Sequence, residues 1–373
     1  MIYLILIAAF FLAYSNGAND NFKGVSTLFG SGTSHYGKAI RWASLTTALG
    51  SVASLFVAEA LIKSFSGKGL VPDAVVMTPE FATAVALGAA GTVMLATVIG
   101  MPISTTHGLV GALVGSGVVA VGTQFNFTKL GTVFFLPLIV SPLLAAVLCV
   151  GSYILFRKLR KASGITKTTC ACIGEEEPAY ILQSSDLMAY VNSSSKSLSL
   201  HINSTEACRE QYSGTFIGVS AQTLLNFAHF VSAGVVCFAR GLNDTPKMAG
   251  LLLLAGTLSP NQNIILITFA VILGGWLNAR KVAETMSKKI TAMNDGQGFT
   301  ANLVTSLLVT TASFHGLPVS TTHVSVGSLF GIGMVTGQAN GRVVRDILFS
   351  WILTLPTAAV LGSVIYWSLI QIH

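Results

Sequence analysis

The sequence predicts an all-α polytopic membrane protein built from two inverted-topology repeats of about five membrane elements each. Of its 373 residues, 52% are hydrophobic and only 9% are charged, far fewer than the roughly 25% charged residues of a soluble domain. The mean hydropathy is +0.71. Two polar motifs, ND and STTH, each occur twice and in the same order, which predicts the duplication. We expect interrupted helices at both motifs.

Apolar segments long enough to cross about 30 Å of hydrocarbon recur in matching order in both halves of the chain. In the first half they lie near residues 2–33 (interrupted), 40–62, 81–99, 103–121 and 131–156. In the second half they lie near residues 215–257 (interrupted), 262–280, 299–315, 318–338 and 343–370. The predicted domains are a first repeat (1–156), a hydrophilic cytoplasmic linker (157–214) and a second repeat (215–373).

An odd number of elements per repeat makes the second repeat enter the membrane from the opposite side. With both termini outside, the outer connections carry only Lys63, Lys68 and Lys129. Fifteen of the 21 lysines and arginines lie in the inner connections, at 34–41, 157–214, 280–289 and 339–345. This excess is typical of cytoplasmic loops. It explains most of the net charge of +7 without a nucleic-acid partner.

The five cysteines show no metal-ligand spacing beyond the short Cys170-Ala-Cys172, so neither a disulfide framework nor a zinc site is predicted. They are Cys149, Cys170, Cys172, Cys208 and Cys237.

The ND motif places charges where the apolar pattern breaks. Residues 17–24 read GANDNFKG and residues 241–250 read GLNDTPKMAG. A charge at membrane depth costs about 2.5 to 3.5 kcal/mol. An Asp–Lys pair packed between helices would explain one copy, but its repetition favours a binding site. The candidate residues are Asn19, Asp20, Lys23, Asn243, Asp244 and Lys247.

The STTH motif supplies hydroxyl groups. MPISTTHGLVGALVGSG at 101–117 returns as LPVSTTHVSVGSLFGIG at 317–333. Helices that begin after Pro102 and Pro318 would direct free N–H groups and positive dipole ends into the membrane, which predicts an anion site. The hydroxyls could also bind Na⁺ or bond back to their own helix. The candidate residues are Ser104, Thr105, Thr106, Ser320, Thr321 and Thr322.

Three more residues are candidate ligands: His107, His323 and Arg240. The histidines could move protons or pack as neutral rings. Arg240 lies three residues before Asn243, where it could attract an anion or pair with Asp244. We expect His35, His229 and His315, which have no counterparts, to be background. The glycines after each STTH segment are expected to pack helices closely: Gly111, Gly115, Gly117, Gly327, Gly331 and Gly333.

Both ND motifs, both P-[IV]-S-T-T-H motifs and the run NARKVAETMSKKIT resemble the PiT-type inorganic phosphate transporter family, within the inorganic phosphate/sulfate permease superfamily. The resemblance covers both halves and leaves out mainly the linker. It implies a secondary transporter, a homodimer without a cofactor, that takes up inorganic phosphate with H⁺ or Na⁺. The family's ligand positions fall on the ND and STT residues given above. The compact loops favour a prokaryotic inner membrane.

Lys23 and Lys247 depart from the pattern of Na⁺-coupled members, which resemble GANDVANA and NDVQNA. A lysine-bearing copy, NDGQKG, resembles proton-coupled bacterial members. An ammonium group at a Na⁺ site would replace the charge of the ion, so H⁺ is the favoured coupling ion. Alternatively, both lysines only pair with Asp20 and Asp244, and these carboxylates would bind Na⁺ in a Na⁺-coupled transporter.

Three other functions fit the sequence less well than phosphate uptake does. A sulfate permease of the same fold is disfavoured because sulfate, unlike phosphate, has no proton to donate to the carboxylates. An anion channel would need an open polar path. A hydrolase using Ser104 and His107 would need its nucleophile to meet its base, yet the two lie three residues apart on one helix. The sequence therefore predicts a transporter and not an enzyme.

Overall fold

The computed structural model describes residues 1–57, 61–62, 65, 67–175, 198–212, 215–252 and 258–372, and it is largely helical. The first half contains α1 (Ile2–Asp20), α2 (Ser26–Gly30), α3 (Tyr36–Val57), α4 (Pro79–Ile99), α5 (Thr105–Val121) and α6 (Leu136–Ser163). The connecting segment contains β1 (Thr169–Glu175), β2 (Leu198–Ser204), α7 (Thr205–Gln211) and β3 (Phe216–Ser220). The second half contains α8 (Ala221–Leu252), α9 (Pro260–Asn278), α10 (Arg280–Glu284), α11 (Asp295–Phe314), α12 (Thr321–Thr336) and α13 (Gly341–Ile372).

The long helices are suited to a lipid environment. Six spans among the described residues are long and apolar enough to cross a membrane: Pro79–Ile99, Thr105–Gln124, Phe127–Ser163, Ala221–Leu252, Pro260–Asn278 and Gly341–Ile372. Large apolar side chains are exposed along α6 and α13, among them Ile139, Leu143 and Val360. Continuous exposed apolar surface of this kind is stable against lipid and not against water. The chain is a multi-pass membrane protein.

Three of the four expected interruptions are present. At the first ND motif, α1 ends at Asp20 and a 3₁₀ turn, Lys23–Val25, precedes α2. The STTH motifs follow non-helical breaks at 101–104 and 317–320. At the second ND motif, however, α8 continues to Leu252 with Pro246 inside it, so no interruption occurs within that helix. Proline removes one backbone donor but still allows a helix to continue, often with a kink. Residues 253–257 of this segment lie outside the described residues.

The two halves interlock through matched glycines on the ND helices. A Cβ on Gly17 would lie 1.9 Å from the Val271 carbonyl oxygen, so α1 touches α9 backbone to backbone. A Cβ on Gly241 would lie 2.2 Å from the Thr47 carbonyl oxygen, so α8 touches α3 in the same manner. Each ND helix therefore packs closely against a helix of the other half.

The helices that begin at the STTH motifs also pack closely against helices of the other half. A Cβ on Gly115 would lie 1.9 Å from the Ala359 carbonyl oxygen of α13, and one on Gly331 would lie 2.6 Å from the Ala146 carbonyl oxygen of α6. The predicted close-packing role of these two glycines is confirmed. Small residues allow such close helix contacts in membranes, where dispersion and polar contacts, rather than the hydrophobic effect, hold helices together.

The described chain forms two compact units. The first combines Met1–Tyr153 with His229–His373 and so contains both halves, and the second is Ile154–Ala228. In the second unit, β1 pairs antiparallel with both β2 and β3. Cys172 and Cys208 form a disulfide there, so the expectation that no disulfide forms is wrong for this pair. The 36-residue separation gives no sign of this pairing, because folding alone brings β1 and α7 together.

We predict that Gly115→Ala destabilises the protein, whereas Gly151→Ala does not. Overpacking a close contact costs about 1 to 3 kcal/mol. An unobstructed Gly-to-Ala change in a helix instead gains up to about 1 kcal/mol, and a Cβ on Gly151 would meet no atom within 4 Å. Thermal unfolding of the two variants in detergent would measure the difference. Equal midpoints would contradict the close approach of α5 and α13.

Candidate anion-binding site

Lys23 occupies the centre of the first half-site, where it is buried together with Asn19 and Asp20. Its Nζ donates to Asn19 Oδ1 at 2.7 Å, to the Ile103 carbonyl oxygen at 2.8 Å and to Thr322 Oγ1 at 2.7 Å. It also forms an ion pair with Asp20. Four acceptors surround an ammonium group that has three protons, so the donors of Lys23 are fully used.

Lys247 has similar surroundings in the second half-site, except that Asn243 Oδ1 accepts from Ser313 Oγ and not from the lysine. Its Nζ donates to Asp244 Oδ1 at 3.2 Å, to the Val319 carbonyl oxygen at 2.8 Å and to Thr106 Oγ1 at 2.9 Å. Asn243 Nδ2 donates to the same Val319 oxygen at 3.3 Å. Both lysines thus pair with the carboxylate of their own motif.

Each lysine also links the two halves. Lys23 belongs to the first half and binds Thr322 of the second, whereas Lys247 belongs to the second half and binds Thr106 of the first. In both half-sites the carbonyl oxygen that accepts from the lysine belongs to the residue just before the STTH motif of the lysine's own half. It is that of Ile103 for Lys23 and that of Val319 for Lys247. The structure therefore brings both ND motifs and both STTH motifs into one polar cluster.

The two STTH helices begin beside each other, and a serine side chain caps each of them. Ser104 Oγ accepts the His107 backbone N–H at 3.2 Å, and Ser320 Oγ accepts that of His323 at 3.2 Å. Because a helix leaves its first backbone N–H groups without helical partners, both starts bring donors and positive dipole ends into the cluster. The capping serine hydroxyls hold the helix starts.

The carboxylates differ between the two half-sites. Asp20 Oδ2 accepts from Asn16 Nδ2 at 3.1 Å and from Thr105 Oγ1 at 3.1 Å. Asp244 Oδ2 is buried and has no hydrogen-bond partner in the described part of the chain. Arg240 stands at the position that corresponds to Asn16. One half-site therefore retains a free acceptor that the other has used.

Arg240 does not pair with Asp244, which was one of its two expected roles. Its side chain is only 1% exposed, and Nη2 donates to Asn21 Oδ1 at 3.3 Å. Nε and Nη1 are buried and have no partner among the described residues. A buried guanidinium group with unused donors is a strong candidate ligand for an oxyanion.

The two motif histidines pack against each other at the helix starts. The His107 and His323 rings lie 4.4 Å apart in an edge-on contact, and His323 stacks on Trp351 at 3.7 Å. The Trp351 indole N–H donates to the Pro102 carbonyl oxygen at 3.1 Å. Sequence reasoning missed Trp351, because no motif marks it.

The buried charges of the cluster do not cancel. Among the described residues, the buried lysines, arginines and carboxylates are Asp20, Lys23, Arg240, Asp244 and Lys247. With the histidines left aside, three cations face two carboxylates, which leaves one positive charge. Since an uncompensated buried charge is costly, this excess favours a bound anion.

On the Lys23 side, polar side chains extend from the cluster. A cavity next to Lys23 is lined by Ser26, Thr27, Asn302, Thr305 and Ser325, among others. Residues of the hairpin formed by α11 and α12 correspond to those 216 positions earlier in the hairpin formed by α4 and α5, as Ser320 corresponds to Ser104. The counterparts of Asn302, Thr305 and Ser325 are thus Ala86, Ala89 and Leu109, all in a buried apolar cluster. On that side Phe65 lies 5.5 Å from Lys247 Nζ.

Hydrogen bonds continue this polar side away from the cavity. Thr27 Oγ1 donates to Asn302 Oδ1 at 3.1 Å, and Asn302 Nδ2 donates to Ser232 Oγ at 3.3 Å. One turn away, His229 Nδ1 lies 3.2 Å from Thr33 Oγ1, close to the end of α2. His229 was expected to be background. One signal in the sequence could have identified this side. Three positions that are polar on α11 and α12 are apolar at the corresponding positions of α4 and α5.

Comparisons with known proteins agree on one family. The model of the phosphate transporter family matches residues 16–362. The chain is 26% identical to the "Putative phosphate permease" of Pyrococcus horikoshii, over 100% of this chain and 98% of that protein. It is 25% identical to inorganic phosphate transporter 2-1, chloroplastic, of Arabidopsis thaliana, over 98% of this chain and 71% of that protein.

A solved structure has the same fold. A protein described as the sodium-dependent phosphate transporter aligns with a TM-score of 0.74 at 23% identity, over 100% of this chain and 99% of that one. Together, the two polar motifs, the membrane fold and the nearly full-length family match lead to one conclusion: the chain belongs to the phosphate transporter family.

Proposed function

We propose that this protein is a secondary active transporter that takes up inorganic phosphate by alternating access and couples uptake to H⁺ in preference to Na⁺. The observation that carries the proposal is the buried cluster of three cations and two carboxylates at the junction of both halves. Its single excess positive charge matches a singly charged phosphate. The homodimer, the inner membrane and the external termini remain predictions of the sequence.

The ligands we propose for the anion are Arg240 and the donors of the two helix starts. Among the described residues, the Arg240 side chain has two buried nitrogen donors without partners, and the first N–H groups of α5 and α12 complement a tetrahedral oxyanion. Asp244 Oδ2, which has no partner in the described part of the chain, is an acceptor that a phosphate hydroxyl can satisfy. Sulfate has no such proton and would leave the carboxylate facing a like charge, so this site favours phosphate over sulfate.

The preference for H⁺ follows from the atoms around the lysines. Lys23 Nζ is held by the side-chain oxygens of Asn19, Asp20 and Thr322 and by one carbonyl oxygen. Such an all-oxygen set is what a hard cation selects. The ammonium group already occupies these oxygens and so takes the place of a Na⁺ ion there. Lys247 occupies Asp244 Oδ1 in the same way.

The polar side of the cluster is our proposed route to the cytoplasm. Asn302, Thr305 and Ser325 line a cavity there, whereas their counterparts on the Lys247 side are packed with apolar neighbours. A hydrated anion needs polar walls to leave a membrane interior. The observed arrangement fits a carrier closed on the Lys247 side, and the positive-inside bias assigns the polar side to the cytoplasm.

We predict that purified protein in liposomes takes up labelled phosphate when a pH gradient is imposed, with or without Na⁺. Replacing Na⁺ with an organic cation should change the rate by less than about twofold, and excess sulfate should not compete. Protein-free liposomes provide the control. A steep Na⁺ requirement would contradict H⁺ coupling and would mean that both lysines are purely structural. Inhibition of phosphate uptake by excess sulfate would identify a sulfate permease.

Arg240→Gln is expected to weaken phosphate binding at least about tenfold, because it removes a buried charge-assisted donor. Arg240→Lys keeps the charge but loses the planar fork, so we expect an intermediate affinity. Equilibrium binding of labelled phosphate to purified protein would measure both. Arg280→Gln is the matched control, since the Arg280 side chain is 79% exposed. Wild-type affinity in Arg240→Gln, with normal thermal stability, would remove Arg240 from the site.

Cysteine labelling at matched positions tests the route. In a variant whose native cysteines are replaced, Ser325→Cys should react with a charged thiol reagent applied from the cytoplasmic side, and saturating phosphate should slow the reaction. Leu109→Cys at the corresponding position should be unreactive from that side, because Leu109 is packed in the apolar cluster, whereas Ser325 lines the cavity next to Lys23. Equal labelling of both cysteines, or labelling of Ser325→Cys only from outside, would contradict the assigned route.

A further inference from the structure

Three cysteines converge in the linker unit. Cys170 and Cys172 lie two residues apart on the buried face of β1. Cys208 lies on α7 and packs with them. Their sulfur atoms all lie within 4.8 Å of one another, and their exposures are 3%, 0% and 0%. Three buried sulfur atoms in such proximity form a potential ligand set once the Cys172–Cys208 bond is reduced.

Two glycines leave room for this sulfur cluster. A Cβ on Gly218 would lie 2.8 Å from Cys170 Sγ, and one on Gly174 would lie 2.6 Å from the ring of Tyr212. The Tyr212 ring is therefore free to close over the cysteines, and its hydroxyl donates to the Ser199 carbonyl oxygen at 2.9 Å. The sulfur atoms lie in a pocket shielded from water.

His201 lies on the same face of the sheet as the cysteines. It is directly opposite Cys172 in the β1–β2 register, and residues opposite each other in an antiparallel pair share one face. Its ring nitrogens lie outside the group of three sulfur atoms that are within 4.8 Å of one another, so the ring must turn toward them to bind an ion. Cys₃His is a common zinc ligand set. A tetrahedral ion with bonds of about 2.3 Å places its sulfur ligands about 3.8 Å apart, so the sulfur atoms of Cys172 and Cys208, which are bonded to each other here, must move apart to hold it.

We propose that Cys170, Cys172 and Cys208 bind a thiophilic metal ion, with His201 as the fourth ligand and Zn²⁺ as the probe ion. Cytoplasmic thiols are kept reduced, and grouped cysteines in that compartment more often bind metal than form disulfides. The excess of lysine and arginine in 157–214 predicts this compartment for the linker. The proposal is independent of the transported substrate.

The ion and the disulfide are alternatives, because Cys172 and Cys208 are bonded to each other in this structure. A dithiol reductant supplies two electrons and two protons to the S–S bond and is itself oxidised to a disulfide. The two thiols that form, together with Cys170, then lose their protons when the ion binds. The site is therefore filled in the reduced protein and lost on oxidation.

Metal titration of the full-length protein tests this proposal. Protein purified with a reductant and stripped by a chelator should bind about one Zn²⁺ per chain, and Co²⁺ should give a thiolate-to-cobalt charge-transfer band. Cys170→Ser and Cys208→Ser should each abolish the band, and His201→Ala should weaken binding about tenfold or more. Cys149→Ser and Cys237→Ser, which change buried cysteines of the other unit, should bind as the wild type does.

Three results would overturn the proposal. One is a reduced wild-type protein, monodisperse and with all five thiols titratable, that binds no metal. Another is binding that is unchanged in Cys170→Ser and Cys208→Ser. The third is a Cys172–Cys208 disulfide that survives the reductant in the folded protein. Phosphate uptake, measured in parallel, shows whether a variant that loses the metal has kept its transmembrane fold.

Discussion

Two buried ammonium groups organise the membrane core. In hydrocarbon, a charge has no water to satisfy it, so every donor must find an acceptor within the protein. Lys23 and Lys247 meet this requirement with oxygens from both halves of the chain. The position of each STTH helix start is therefore fixed by a lysine of the opposite half, and the glycine contacts between halves hold the helices close enough for these bonds to form.

Function depends on where the duplication is imperfect. Two identical half-sites with paired lysines and carboxylates would be neutral and would hold no anion. Arg240 replaces the amide found at Asn16, adds one positive charge and leaves Asp244 Oδ2 free. Similarly, among the described residues, the polar Asn302 and Ser325 on the Lys23 side correspond to apolar residues on the other side. In the proposed mechanism, the first difference lets the site bind one anion, and the second gives the site a direction.

Much of the fold and part of the site could be predicted from the sequence, for physical reasons. Helices, breaks and caps depend on local composition, so the STTH breaks and the serine caps follow from neighbouring residues. Charged residues in apolar stretches are conspicuous because they are costly. The contact between Lys23 and Thr322 spans 299 residues and depends on the packed fold. Trp351 and His229 carry no local signal, and the continuity of α8 through Pro246 depends on its buried surroundings.

The crossed contacts between halves also bear on how such a chain arose. A single repeat would lack the Thr322 hydroxyl for its lysine and the Val271 backbone against which Gly17 packs. Two copies of one repeat, inserted in opposite orientations, would supply both to each other. A half-length ancestor would thus need dual topology, with each chain completing its antiparallel twin. Fusion of the two genes would then have freed each copy to diverge, which is the condition for a residue such as Arg240 to appear in only one of them.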